Sequence, residues 1–219
     1  YGNKLYERNP YYFKVDTAGN QLPYTDGMRR ILVENLEVQD LKGIAGDYTH
    51  YGWGGLQNYT TYKENEEKGG YTTRLLTYLR GNELTLSFNV LHPDPVKQKI
   101  YSNLKFRQAM SLSINRDEIN NLIYFGKATP RQASPAPNDS YYQEWMGKYY
   151  AEFDPVKANT LLDSIGLDKR DSDGFRLGPD GKLFTINMEQ GVPEPAWQKT
   201  CELVAKYWND AGIKTNLKM

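Results

Sequence analysis

One cysteine, Cys201, and two histidines, His50 and His92, are all that 219 residues offer to disulfide or soft-metal chemistry. A single thiol cannot close an intrachain disulfide, and two histidines far apart with no cysteine beside them make a poor zinc set. Cys201 falls on the apolar stripe of a helical stretch, where a buried, inert thiol is expected and not a nucleophile. A charge excess of either sign is also lacking. Lys plus Arg and Asp plus Glu number 27 each, so no long-range field draws the chain to nucleic acid or to an anionic membrane. No apolar run approaches the length of a membrane span, and the opening YGNKLYERNP has no charged-then-apolar leader. Neither a Gly-x-Ser-x-Gly elbow nor a phosphate-loop pattern occurs. The adjacent Glu66 and Glu67 point to different helix faces and cannot work as an acid–base pair.

Tyrosine, by contrast, is plentiful: 18 Tyr accompany 4 Trp, side chains that give ligand surfaces large contact area at low entropic cost and still hydrogen-bond. The apolar share of 39% supplies a core for one large domain or two modest ones. Residues 9–30 read as two extended pieces separated by turn residues. Residues 29–38 form a β-rich run with a helix-compatible end, and five glycines punctuate 41–55. Residues 56–70 read as one polar helix stopped by Gly69 and Gly70, and 70–81 as a strand. In 83–90, Leu84, Leu86 and Phe88 alternate with Thr85, Ser87 and Asn89, the period of a half-buried strand. LHPDP (91–95) then marks a boundary, because its two prolines exclude regular pairing.

After it the texture becomes helical with legible ends. SNLKFRQAMSLSI puts Phe106, Ala109, Met110 and Ile114 on one face. NRDEINNLIYFG starts on Asn115 and stops at Gly126. DPVKANTLLDSIG has Asp154 as cap, Pro155 in the first turn and Gly166 as terminator. Residues 127–139, broken by prolines, must be loop. FRLGPDGKLFTINM reads as a hairpin. PAWQKTCELVAKYWNDAGI reads as a helix with Trp197, Cys201, Val204, Trp208 and Ala211 on its stripe, and IKTNLKM as a closing strand: a βαβ unit with two parallel strands.

These pieces resemble the central region of the family 5 extracellular solute-binding proteins, the oligopeptide, dipeptide and nickel-type receptors of ABC importers. The matching stretches are ERNPYYFKVD…NQLPYTDGMRRILVEN (7–35), SNLKFRQAMSLSINRDEINNLIYFGKATP (102–130), DPVKANTLLDSIGL (154–167) and AKYWNDAGIKTNLK (205–218), in the family's order. The resemblance implies a two-lobed α/β fold of mixed sheets flanked by helices. Residues 1–90 would be part of lobe I and 91–219 most of lobe II. Full members are longer and carry a secretion or lipoprotein signal, so the chain reads as a segment of a periplasmic or cell-surface receptor. Its implied partners are a small-molecule ligand, closed on by two lobes, and a membrane permease; no cofactor is implied.

Loops at the C-terminal ends of parallel strands are where such a ligand is expected. Tyr51 and Trp53 stand among glycines; Arg131 and Gln132 could reach a carboxylate or peptide group, Arg131 by a bidentate pair. Glu189 and Gln190, at a strand-to-helix junction, suit a ligand amino group. Trp197 reads first as core and second as platform, and Asn89 as interlobe hinge geometry. The tyrosine and tryptophan content favours a peptide or an oligosaccharide over a bare metal. A carbohydrate-active hydrolase fragment is the competing reading, since aromatic clefts with scattered carboxylates also process sugars.

Overall fold

The computed structural model describes residues 2–52, 55–76, 81–191 and 194–218. The chain divides into two compact units, Tyr1–Arg74 and Leu75–Met219.

In the first unit, β1 (Lys4–Glu7) pairs antiparallel with β2 (Gly27–Arg30), Lys4 opposite Arg30 and Glu7 opposite Gly27. The connection between them turns on Asp16, whose carboxylate accepts from the Ala18 and Asn20 amides, the Asn20 side chain and the Tyr24 hydroxyl. Those bonds, the Asn20 side chain's first and Tyr24's next, favour the ionised form and lower its pKa to about 2. The β-rich run expected from residue 29 is strand only at its start. It gives way to α1 (Leu36–Ile44), whose cap Asn35 accepts from the Val38 amide at 2.9 Å. The single helix expected over 56–70 is a 3-10 turn (Leu56–Asn58) followed by two short helices, α2 (Tyr59–Glu64) and α3 (Glu66–Gly69). Asn65 divides them: its side chain donates to the Thr61 carbonyl, while its own amide reaches only Tyr62 O.

The second unit holds α4 (Pro95–Ser102), α5 (Leu104–Leu112), α6 (Arg116–Ile123), α7 (Glu144–Lys148), α8 (Pro155–Asp163), β3 (Thr185–Glu189), α9 (Pro195–Asp210) and β4 (Lys214–Lys218). Asn115 and Asp154 cap α6 and α8 as their sequences predict, accepting from the amides of Glu118 and Lys157. Helix α4 uses the same device, with Asp94 as cap and Pro95 in the first turn. The boundary expected at LHPDP is therefore also a helix start. β3 and β4 pair in parallel, from Thr185 opposite Lys214 to Glu189 opposite Lys218, with α9 between them in sequence. The expected hairpin is present as a bridge from Leu177 to Leu183 closed by the Gly178 amide on Lys182 O. Residues 127–139 contain neither helix nor strand.

The strand expected over 83–90 is the main correction. Its alternation holds, with Leu84, Leu86 and Phe88 half-buried and Thr85, Ser87 and Asn89 exposed, yet among the described residues it joins no ladder. Period-two burial requires only an extended backbone lying on an apolar surface, and here the second unit's helical core supplies that surface. Leu84, Leu86 and Phe88, expected with the first lobe, accordingly pack on the second unit's core. Of the strand expected over 70–81, residues 71–76 are not in a strand, and 77–80 lie outside the described residues.

The core centres on Phe106, which is fully buried and meets Phe88, Tyr101 and Phe184 at centroid distances of 5.2, 5.9 and 5.8 Å. Cys201 is buried as expected, and burial raises its thiol pKa. One expectation follows from the caps. Replacing Asp154 by Ala leaves the Lys157 amide without its acceptor and should cost about 1 kcal/mol of unfolding free energy, read by urea denaturation of the intact protein.

Candidate functional site

In the first unit the aromatic side chains converge on one carboxylate. Asp40, on α1, accepts from the hydroxyls of Tyr51 (2.6 Å) and Tyr62 (2.9 Å) and from the Asn58 side chain (2.7 Å). Tyr48 stacks on Tyr51 at 5.3 Å, and Tyr62 meets Tyr71 edge-on at 6.5 Å. The Tyr51 ring also lies against Gly43, where an added Cβ would sit 2.7 Å from it. Tyr51 thus ties α1 to α2, and its polar tip is committed to Asp40. Trp53, its expected companion, lies outside the described residues.

The remaining expected residues lie in the second unit. Asn89 is exposed and accepts from the Leu91 amide, a local turn. Glu189 pairs across the β3–β4 ladder with Lys218 at 3.1 Å, and the Gln190 amide continues that ladder to Lys218 O. Gln132 is bound into the scaffold: its side-chain nitrogen donates to Ser111 Oγ and Tyr149 O, and its backbone amide to Gly147 O. The guanidinium of Arg131 lies over the Tyr142 ring, 5.2 Å from its centroid. Its Nη2 donates to both Ser134 Oγ and Pro135 O, while Nε is buried without a hydrogen-bond partner.

Two residues that the sequence did not point to join these pieces. Asn82, in the amide orientation that satisfies both its ends, donates to Gly81 O and Gln132 O and accepts from the Ser134 amide, each at 3.2 Å. Its neighbour Glu83 accepts from the indole Nε1 of Trp197 at 3.2 Å, across 114 residues of sequence. Glu194 caps α9 by accepting from the Trp197 amide at 2.8 Å. Tyr124 lies beside them: burial chiefly raises its hydroxyl pKa, the charges of Glu83 and Glu194 add to this, and the Thr200 hydroxyl opposes it. Arg131, Gln132 and Trp197 are therefore linked through Asn82 and Glu83 into one junction. Trp197 is half-buried at its rim, neither wholly core nor wholly platform. The only signal for Glu83 was its place beside an alternating strip, which says nothing of a partner so distant in sequence.

The family model "Bacterial extracellular solute-binding proteins, family 5 Middle" matches residues 3–219, and the chain belongs to that family. A probable ABC transporter-binding protein of Deinococcus radiodurans is 28% identical over 97% of this chain and 36% of its own length. Among solved structures, an oligopeptide-binding protein OppA is 39% identical with a TM-score of 0.66, covering 99% of this chain and 35% of that one. The periplasmic binding protein MelB of Agrobacterium fabrum C58, in complex with stachyose, is 25% identical with a TM-score of 0.73, over 99% and 34%. The chain thus spans about a third of the length of these relatives. The fold class expected of the sequence, a mixed α/β periplasmic-binding-protein arrangement, is the one these structures share.

The Asp40 cluster has a pH signature. Burial first, and the Asp40 hydrogen bond second, raise the pKa values of Tyr51 and Tyr62 well above the ordinary 10.0. Below that value both hydroxyls are protonated whether the chain is folded or unfolded. Above it only the unfolded chain ionises, so stability is present below pH 10 and declines as pH rises beyond it. Thermal unfolding of the intact protein between pH 8 and about 11 should show this decline. Replacing Tyr51 and Tyr62 together by Phe should make the decline shallower, with the remainder left to Tyr207, Tyr101 and Tyr124, whose pKa values burial also raises; an unchanged slope would assign it elsewhere.

Proposed function

We propose that this chain is part of the solute receptor of an ABC importer, which captures a peptide or an oligosaccharide outside the cytoplasmic membrane and delivers it to a permease. The family match across residues 3–219 carries the proposal. The relatives add to it: one is named for an ABC transporter, one for oligopeptides, and one was solved with a tetrasaccharide. Anchoring of the intact receptor as a lipoprotein belongs to the same reading, as does a division of the chain into part of a first lobe and most of a second.

On this reading Trp197 and Glu83 face the ligand, with Arg131, Gln132, Glu189 and Gln190 as the supporting rim, while Tyr51 and Asn89 serve local structure. The hydrolase alternative finds little ground here. A glycosidase needs one carboxyl group to give a proton and another to attack or activate water. Glu194 instead accepts from the first turn of its own helix, and Glu83 from an indole N–H.

Calorimetry of the intact protein decides the matter. Titration with stachyose and with short oligopeptides should give saturable 1:1 binding to at least one, at a Kd of about 1 μM or tighter, with the ligand recovered unchanged. Cleavage of the sugar, or no binding of either class, would overturn the receptor reading.

A further inference from the structure

Peptides and oligosaccharides make different electrostatic demands, and the junction around Trp197 meets only half of what a peptide needs. A free peptide is zwitterionic. Its carboxylate is best held by a guanidinium fork and its ammonium by an unpaired acid. The two forks of Arg131 both run through Nη2, one edge shared with Nη1 and the other with Nε. The Nη2 hydrogens already go to Ser134 and Pro135, and Nε is buried. On α7, whose Gly147 carbonyl accepts from the Gln132 amide, Lys148 is matched by Glu144 one turn away. Gln132 is occupied by Ser111 and Tyr149. Glu83, an exposed carboxylate that accepts from the half-buried indole of Trp197, has no ion-pair partner among the described residues, so the acid that an ammonium would need is present while the guanidinium fork for a peptide carboxylate is already committed.

An aromatic face with a carboxylate fixed at its edge is a sugar-binding pair. The C–H face of a pyranose packs on the ring, while two vicinal hydroxyls donate to the carboxylate, one to each oxygen. The bond from Nε1 to Glu83 holds ring and acceptor in fixed relation, so little ordering remains to be done on binding. Resting on the receptor reading above, we infer that this junction serves a neutral oligosaccharide, with Trp197 as its stacking platform and Glu83 as its hydroxyl acceptor, and not a zwitterionic peptide.

The test is isothermal calorimetry of the intact protein with stachyose and with tetra-alanine. Stachyose should bind and tetra-alanine should not. Trp197→Ala should weaken stachyose about tenfold or more, Trp197→Phe by no more than about threefold, because a ring remains to stack on. Glu83→Ala should weaken it by a similar factor to Trp197→Ala, and Glu83→Gln, which keeps one acceptor oxygen, by less. Far-UV circular dichroism and melting of each variant separate lost contacts from lost fold. Binding of tetra-alanine in place of stachyose would overturn the sugar assignment and leave the receptor reading standing. Stachyose affinity unmoved in well-folded Trp197→Ala and Glu83→Ala variants would overturn the assignment of this pair. Binding of neither probe would remove the receptor reading and this inference together.

Discussion

A parallel pair of strands cannot be left uncovered, and the second unit is organised around covering one. The five residue pairs of β3 and β4 form a ladder that no hairpin can connect, so the chain must travel away and return. Helix α9 makes that journey and lays its apolar stripe inward, burying Cys201, Val204, Tyr207 and Trp208. Trp208 stacks on Phe88 at 5.5 Å and donates its indole N–H to Met110 O, so the ring satisfies its one polar atom while joining α9 to α5 and to the extended strip 84–88. Full burial of a large apolar side chain is worth about 1.5–3 kcal/mol, and several act here on one helix. This explains why the strip 84–88 can dispense with a ladder: the helices give it a surface.

Two arginines, one buried and one half-buried, then set the connections between elements. Arg176, almost wholly buried, donates to Asp163, Asn159, Leu167 O and Ala211 O, joining the hairpin to the middle and C-terminal end of α8 and to the end of α9. A guanidinium withdrawn from water is tolerated only when its hydrogens are met in this way, and loss of it would leave buried acceptors unmet. Arg116 plays the same part beside the candidate site. It donates to Ser111 O, Ser111 Oγ and Ala151 O, and the same Ser111 Oγ accepts from Gln132. The loop carrying Arg131 and Gln132 is thereby fastened to α5 and to the carbonyls around α7. A proline-interrupted loop is thus held in place, and if it is the rim proposed above, that preorganisation lowers the ordering cost of binding.

What could be read from the sequence and what could not divides along the range of the interactions. Caps and stops are local grammar: Asn115, Asp154 and Gly166 do what three or four neighbouring residues dictate. Asp94 and Pro95 follow the same rule and were obscured only by the second proline and the histidine beside them. The alternation in 83–90 was also correct as a statement about faces, but a strand needs a partner, and no local pattern names one. Tyr51 illustrates the limit for function. An aromatic residue among glycines looks ligand-facing, whereas Asp40, eleven residues earlier in a helix, claims its hydroxyl. The Glu83–Trp197 pair lies beyond local reading altogether, because it exists only once the strip before α4 has packed against the start of α9.

Under the proposed assignment, the burial gradient along α9 lets one helix serve fold and ligand together. Its C-terminal half is core, with Val204, Trp208 and Ala211 each nearly solvent-free, and its first turn, held by Glu194, leaves Trp197 half-exposed. The stripe is continuous from Trp197 to Ala211, so the ring at the open end inherits the rigidity of the buried end without contributing much to it. Rigidity matters because a stacking platform gains selectivity only if it is already oriented when the ligand arrives. The same separation accounts for the ambiguity of Trp197 in the sequence, where spacing identifies the stripe but not the point at which it emerges from the core. That point is set by Glu83, which takes the indole N–H at the surface as Met110 O takes that of Trp208 inside. In Trp208 the paired polar atom permits nearly complete burial; in the half-buried Trp197 it fixes the edge of the ring at the surface.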